Sequence, residues 1–233
     1  MSETPCNRSI AVERANQQQY LDGLQFVRWV RRDRQDDPIE PDAGLDLSST
    51  KKELFELAAA VDHCRACPLG ETRRHAVFGA GSASADWLFV GEAPGVEEDR
   101  RGLPFVGRAG QLLNAMISAL GLERDQTYIA NVLKCRPPDN RDPLGEEVRS
   151  CEKHLHRQIE LLQPRLIIAL GRFAAQSLLK SSLPIGKLRG RRHLYEPFGI
   201  PLVATYHPAY LLRSPLEKRK AWSDLRLAKT VLS

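Results

Sequence analysis

The chain has 233 residues, enough for one full domain with its own core plus further segments. Lys and Arg outnumber Asp and Glu by 34 to 29, a net charge of +5, which suits a polyanionic partner without requiring one. No apolar run approaches the roughly twenty residues of a membrane span, and the polar N-terminus lacks the apolar stretch of a secretion signal, so a cytoplasmic protein is expected.

Residues 1–50 differ from the rest and are expected to be an N-terminal extension and linker. Residues 12–22 suit a short helix that Gly23 would end, and 24–30 suit either a strand or a second helix. Residues 31–49 are polar, rich in Asp and interrupted by Pro38 and Pro41, as a linker is. From residue 51 to 233 the pattern is that of a single folded domain.

That domain alternates. Leu54, Phe55, Leu57, Ala58 and Val61 fall at helical spacing over 51–62. Residues 87–90 form a short apolar run closed by Gly91, as in a strand buried on both faces. Helix is expected over 111–120, strand over 127–133, helix over 146–162 and strand over 166–170. Helix follows over 173–179, strand over 201–205 and helix over 221–232. Four strands separated by helices predict an α/β domain with a mainly parallel sheet. In such sheets ligands bind at the carboxyl ends of the strands. The residues there are Gly91 to Gly95, Asn131, Gly171 and His207-Pro208.

Cysteine usage points to a second feature. Cys64 and Cys67 form a C-x2-C pair after the first helix, Cys135 follows a strand, and Cys151 lies on the next helix. In a reducing compartment such a set is a metal clamp before it is a pair of disulfides. Four thiolates suit Zn²⁺ or an iron–sulfur cluster, and the spacing does not separate the two. Buried free thiols are the plain alternative. Arg65, Arg73, Arg74 and Arg136 lie near these cysteines, where they would offset thiolate charge, meet phosphate or form a solvated face. Cys6 lies in the polar N-terminal stretch and is not assigned.

Other signals are weak. Gly79-Ala80-Gly81 lacks the lysine and hydroxyl of a phosphate loop, and no Gly-x-Ser-x-Gly elbow is present. Lys187, Arg189, Arg191, Arg192 and His193 read as a basic loop before the last strand, suited to phosphate or to solvent.

Four motifs, taken in order, carry a resemblance. They are Gly91-Glu92-Ala93-Pro94-Gly95, Leu103-Pro104-Phe105-Val106-Gly107-Arg108-Ala109-Gly110, Asn131-Val132-Leu133-Lys134-Cys135-Arg136-Pro137-Pro138, and His207-Pro208-Ala209-Tyr210-Leu211-Leu212. Together with the cysteine pattern they closely resemble family 4 uracil-DNA glycosylases, over residues 51–232. The resemblance implies a three-layer α/β/α sandwich around a short four-stranded sheet. It favours a [4Fe–4S] cluster on Cys64, Cys67, Cys135 and Cys151, and a monomer acting on single- or double-stranded uracil-containing DNA. A non-catalytic iron–sulfur module that partners another repair protein is the alternative.

The residue types suit the implied chemistry. Breaking the base–sugar bond of a flipped-out nucleotide leaves an oxocarbenium-like sugar and a uracil anion. His207 would donate to uracil O2, helped by backbone amides near Gly91, Glu92 and Ala93, as in an oxyanion hole. Asn131 offers one donor and one acceptor, matching O4 and N3–H of uracil and opposing cytosine. Phe105 would stack on the base. Leu211 or Leu212 would wedge into the vacated stack, with Arg213 and Arg189 on phosphates. The aspartate that handles water in family 1 enzymes is replaced by Ala93, leaving Glu92 as the candidate for positioning water. Gly95 stands where family 1 has a methyl-excluding tyrosine, which passes that role to a neighbour such as Glu98.

Overall fold

A computed structural model describes residues 47–232, and the first two expected elements, over 12–22 and 24–30, lie outside the described residues. The first helix described, α1 (Leu47–Asp62), begins inside the expected linker and buries Thr50 and Leu54, so the domain takes in residues before position 51. The order then runs α2 (Leu69–Thr72), β1 (Ala80–Gly81), β2 (Trp87–Gly91), α3 (Val96–Arg101), α4 (Arg108–Ala119), β3 (Tyr128–Asn131), α5 (Gly145–Leu162) and β4 (Leu166–Leu170). It finishes with α6 (Arg172–Leu179), α7 (Ile185–Leu188), β5 (Arg192–Tyr195), β6 (Ile200–Thr205), α8 (Pro208–Arg213) and α9 (Lys218–Leu232).

Among the described residues the sheet has six strands in the order β1-β3-β2-β4-β6-β5, not the four expected. The four expected strands form its parallel centre, and β1 and β5 add antiparallel edges to β3 and β6. Both edges escape an apolar-run criterion for physical reasons. β1 is two residues long with a glycine, and β5 carries Arg192 and His193 on a largely solvent-facing strand. The expected basic loop is therefore in part a strand, with Arg192 in register with Val203.

Every residue of β2 and β4 is buried, because helices cover both faces of the sheet. On one face Leu88, Val90, Ile167 and Ala169 pack against Leu54 of α1, Leu155 and Ile159 of α5 and Ala175 and Leu178 of α6. On the other Phe89, Ile129, Ile168 and Val203 pack against Leu113 and Ile117 of α4 and Ala221 and Leu225 of α9. Alternate residues of each strand point to opposite cores, which makes the three-layer α/β/α sandwich. Each fully buried Val, Leu, Ile or Phe contributes about 1.5–3 kcal/mol. The parallel centre also brings Gly91, Asn131, Gly171 and the residues after Thr205 to one edge of the layer.

Candidate active site and four-cysteine centre

A cavity of about 460 Å³ opens at that edge. Glu92, Ala93, Phe105, Asn131, His207 and Arg213 all line it, together with Glu98, Pro137, Asn140, Arg141 and Tyr210. Gly91 lies directly behind two of these residues: a Cβ there would stand 2.4 Å from Oδ1 of Asn131 and 2.7 Å from Cζ of Phe105.

Asn131 is 1 % exposed, and its Oδ1 has no hydrogen-bond partner. An unpaired buried acceptor costs about 1–3 kcal/mol unless something supplies a donor. Asn131 lines the cavity, where an N–H of a bound base can do so.

His207 caps the N-terminus of α8. Its Nδ1 accepts the backbone N–H of Ala209 at 3.1 Å, so the ring proton resides on Nε2. Burial, together with the positive charge of Arg213, lowers its pKa to about 4, against a smaller opposing effect of Glu98. The imidazole is thus neutral near pH 7, with Nε2–H as its available donor. Pro208 at the first helical position and the backbone bond to Ala209 explain why His207 is oriented by local sequence.

Phe105 is held in the left-handed region at φ 51°, rare for a non-glycine residue. The segment around it is over-determined. Glu98 accepts Val106 N–H at 2.9 Å and Gly107 N–H at 3.1 Å through Oε1, and Gly95 N–H at 3.2 Å through Oε2. Arg124 donates to the Pro104 carbonyl at 2.7 Å. Gly110 is needed, since a Cβ there would lie 1.8 Å from the Phe105 carbonyl oxygen. The result places the Phe105 ring 5.6 Å from that of His207, walling one side of the cavity. Glu98 lines the cavity while tying the 91–95 loop to the Phe105 loop.

Glu92 is half-buried, and its pKa is raised to about 7. Desolvation is the main cause, the charge of Asp142 adds to it, and Arg172 opposes both. The loop before α5 was not legible as part of the site. Arg141 forms a two-pronged pair with Glu147, and Asp142 pairs with Arg172 at 3.1 Å, which brings Asn140 and Arg141 to the cavity wall. Its only sequence signal was the Pro137-Pro138 pair that starts it.

Two other expectations fall elsewhere in the structure. Arg189 is turned inward: it donates to both carboxylate oxygens of buried Asp224, at 3.0 and 2.7 Å, and to the Lys220 carbonyl at 2.7 Å. Asp224 also accepts the Thr205 hydroxyl at 2.8 Å, so this pair anchors the end of β6 just before His207. Leu211 is 1 % exposed and belongs to the core beneath α8, whereas Leu212 is 37 % exposed. Of the two leucines only Leu212 has a surface to offer.

Cys64, Cys67, Cys135 and Cys151 carry free thiols that line one cavity with Arg73, Lys134 and His154. Arg73 donates to Sγ of Cys135 at 2.8 Å and also binds the carbonyls of Asp62 and Cys64, joining the two halves of the set. Lys134 N–H donates to Sγ of Cys151 at 3.3 Å. Burial raises the thiol pKa of Cys151 to about 11, against the opposing charge of Lys134. Among the described residues no three His, Cys, Asp or Glu side chains converge tightly enough to hold a single metal ion. Arg65 and Arg136 serve locally, on the Cys64 carbonyl and the Asn140 side chain.

A three-layer α/β/α fold whose strand ends open on a cavity of about 460 Å³, with a neutral histidine and an amide oxygen left unpaired, suits an enzyme that takes a nucleobase. Residues 78–226 match the model of the uracil DNA glycosylase superfamily. The chain is 42% identical over 181 residues to a type-4 uracil-DNA glycosylase of Archaeoglobus fulgidus, covering 75% of this chain and 91% of that one. It is 41% identical over 187 residues to a type-4 uracil-DNA glycosylase of Thermotoga maritima, covering 78% and 97%. A type-5 uracil-DNA glycosylase of Pyrobaculum aerophilum is more distant, at 32% over 146 residues, covering 56% and 64%. The chain belongs to the uracil-DNA glycosylase superfamily and, within it, to the type-4 enzymes.

Proposed function

We propose that the chain excises uracil from DNA by hydrolysing the N-glycosidic bond of a flipped-out deoxyuridine, releasing uracil and leaving an abasic site. The observation that carries this reading is the unpaired Oδ1 of Asn131, buried at the wall of a cavity it shares with His207, Phe105 and Glu92. Uracil N3–H satisfies that acceptor, and the amide nitrogen then meets O4. Cytosine presents an acceptor at its N3 and a donor at C4, and leaves both groups opposed. Phe105 stacks on the base, a contact worth roughly 1–3 kcal/mol.

Nε2–H of His207 donates to O2 as negative charge develops on the departing base. A neutral donor suits a weakly basic uracil anion, and its fixed direction avoids reorganisation during bond cleavage. Glu92, as carboxylate, orients the water that adds to C1′ of the sugar. Arg213 and Leu212 face the DNA backbone and the vacated stack. A purely nucleic-acid-binding role is not favoured, because Glu92, Phe105, Asn131 and His207 converge on one cavity.

The four cysteines fit a [4Fe–4S] cluster. All four are free and line one cavity with Lys134, whose backbone N–H meets Cys151 and whose ammonium has only neutral acceptors, a setting that suits an anionic group. When bound, the cluster supplies a rigid anionic cross-link between the start of the domain and its middle. Such thiols are kept available in a reducing cytoplasm, and no described helix is long and apolar enough to cross a membrane. The chain acts as a monomer on uracil-containing DNA.

The test is direct. The protein is purified without oxygen, its visible spectrum and iron content are recorded, and it is incubated with single-stranded, U:G and U:A oligonucleotides. Release of free uracil without added metal or nucleotide is expected. No base release from any substrate overturns the activity, and a colourless, zinc-containing protein overturns the cluster.

A further inference from the structure

Lys134 stands between the last residue of β3 and Cys135, and it is 1 % exposed. Its ammonium has three donors, and each is used on a neutral acceptor. They are the carbonyl of Asn131 at 2.9 Å, the carbonyl of Phe78 at 3.1 Å and Oε1 of Gln158. Its backbone is held from both sides: the N–H donates to Sγ of Cys151, and the carbonyl accepts Val77 N–H at 2.8 Å. Gln158 itself donates to the Phe78 carbonyl at 3.1 Å.

Burying an ammonium without a carboxylate is costly, and a methionine would fill the same space without that cost. The bonds say what the ammonium does in return. The peptide after Asn131 is clamped on one side by Val132 N–H donating to the Gly91 carbonyl at 3.0 Å, and on the other by Lys134 holding the Asn131 carbonyl. That peptide sets where the Asn131 side chain starts. Metal-bound thiolates at Cys135 and Cys151 would supply the negative charge that the ammonium otherwise lacks.

We propose that Lys134 is a positioning residue that couples the four-cysteine centre to Asn131, so that filling the centre locks the amide that reads the base. This rests on the reading of Asn131 given above. It assigns the cysteine centre a consequence at the cavity, through one side chain, beyond bracing the scaffold.

The test compares wild type with Lys134→Met and Lys134→Gln, each purified without oxygen and matched for iron content. Two readouts are taken: hydrogen exchange of the segment 128–135, and the single-turnover rate of uracil release alongside the DNA dissociation constant. In Lys134→Met, faster exchange at 131–133 is expected with β4 unchanged. The single-turnover rate should fall about 100-fold, the scale of an ångström misplacement, with DNA affinity nearly unchanged. Lys134→Gln, which keeps an N–H donor group on an uncharged side chain, should recover part of both. An iron-loaded Lys134→Met protein with wild-type exchange and rate overturns the proposal. So does an iron-free Lys134→Met protein whose exchange at 131–133 matches that of iron-loaded wild type. If Lys134→Met fails to fold, Gln158→Leu removes one of the three acceptors and is expected to loosen the same segment, and unchanged exchange there counts against the proposal. A wild-type protein that releases no uracil refutes the reading of Asn131 instead, while the exchange data still decide whether Lys134 holds the end of β3.

Discussion

Gly91 and Asn131 lie side by side in the parallel register of β2 and β3, and a Cβ on Gly91 would stand 2.4 Å from Oδ1 of Asn131. The same methyl would stand 2.7 Å from Cζ of Phe105. One missing side chain therefore makes room for both the residue that reads the base edge and the residue that stacks on its face. Neither neighbour can give way without moving the site, since Asn131 ends a buried strand and the backbone on either side of Phe105 is held by Glu98 and Arg124. Gly91→Ala should fold and retain DNA affinity. Its single-turnover rate should fall about 100-fold, the scale of an ångström displacement. A Gly91→Ala enzyme with a wild-type rate would show that Asn131 and Phe105 do not hold the base together.

The orphaned oxygen of Asn131 predicts opposite effects on stability and activity. Asn131→Leu keeps the number of side-chain heavy atoms and the branch at Cγ, and it removes a buried acceptor that has no partner in the free protein. Relieving that penalty should stabilise the fold by about 1 kcal/mol. For a domain of this size that amounts to roughly 2–4 °C in Tm. Uracil release should nevertheless collapse, because the variant can neither accept from N3–H nor donate to O4. Calorimetry and an oligonucleotide excision assay on the same preparation check the pair of signs. A destabilised variant would mean that Oδ1 has a partner in the free protein.

Much of the fold could be read in the residue order. The continuous apolar runs at β2 and β4 mark strands covered on both faces, and the motif residues fall at their carboxyl ends because a parallel sheet brings those ends together. β1 and β5 were not legible, since an edge strand two residues long, or one bearing Arg192 and His193, has no apolar signature. The site divides in the same way. Cavity-lining Glu92, Phe105, Asn131 and His207 sit inside recognisable motifs. What acts on them does not: the charges of Asp142 and Arg172 reach Glu92 only through tertiary contacts. The inward turn of Arg189 depends on Asp224, 35 positions further on, and no local pattern announces it.

That inward turn yields a prediction that separates two roles. If Arg189 served chiefly to contact phosphate, Arg189→Met would weaken DNA binding and flatten its salt dependence while leaving the fold intact. The structure instead shows its guanidinium only partly exposed and bonded to a fully buried carboxylate. Removing it leaves Asp224 with the Thr205 hydroxyl as its remaining side-chain donor. Breaking one partner of a buried pair costs about 3–5 kcal/mol. Thermal unfolding should register that loss, and the excision rate should drop as the end of β6 loosens before His207. Unchanged Tm with a reduced salt slope would reverse the assignment.

Glu92 gives the enzyme a pH signature. Burial raises its carboxyl to a pKa of about 7, with Asp142 pushing the same way and Arg172 opposing. Below that value the group is protonated and cannot orient water as a carboxylate. The single-turnover rate should therefore rise with pH, level off above about 7, and owe nothing in this range to His207, which is neutral down to about 4. Asp142→Asn removes a raising charge and should move the limb to lower pH, whereas Glu92→Gln should flatten it. Stability follows the opposite sense. A carboxyl whose pKa is raised on folding stabilises the folded state most at low pH, and this contribution is lost as pH rises through about 7. Glu92→Gln should thus gain in Tm relative to wild type between pH 5 and pH 8. Rate profiles and melting curves of wild type and Glu92→Gln across that interval test both signs. A limb that survives in Glu92→Gln would assign the titration to another group and remove Glu92 from the positioning of water.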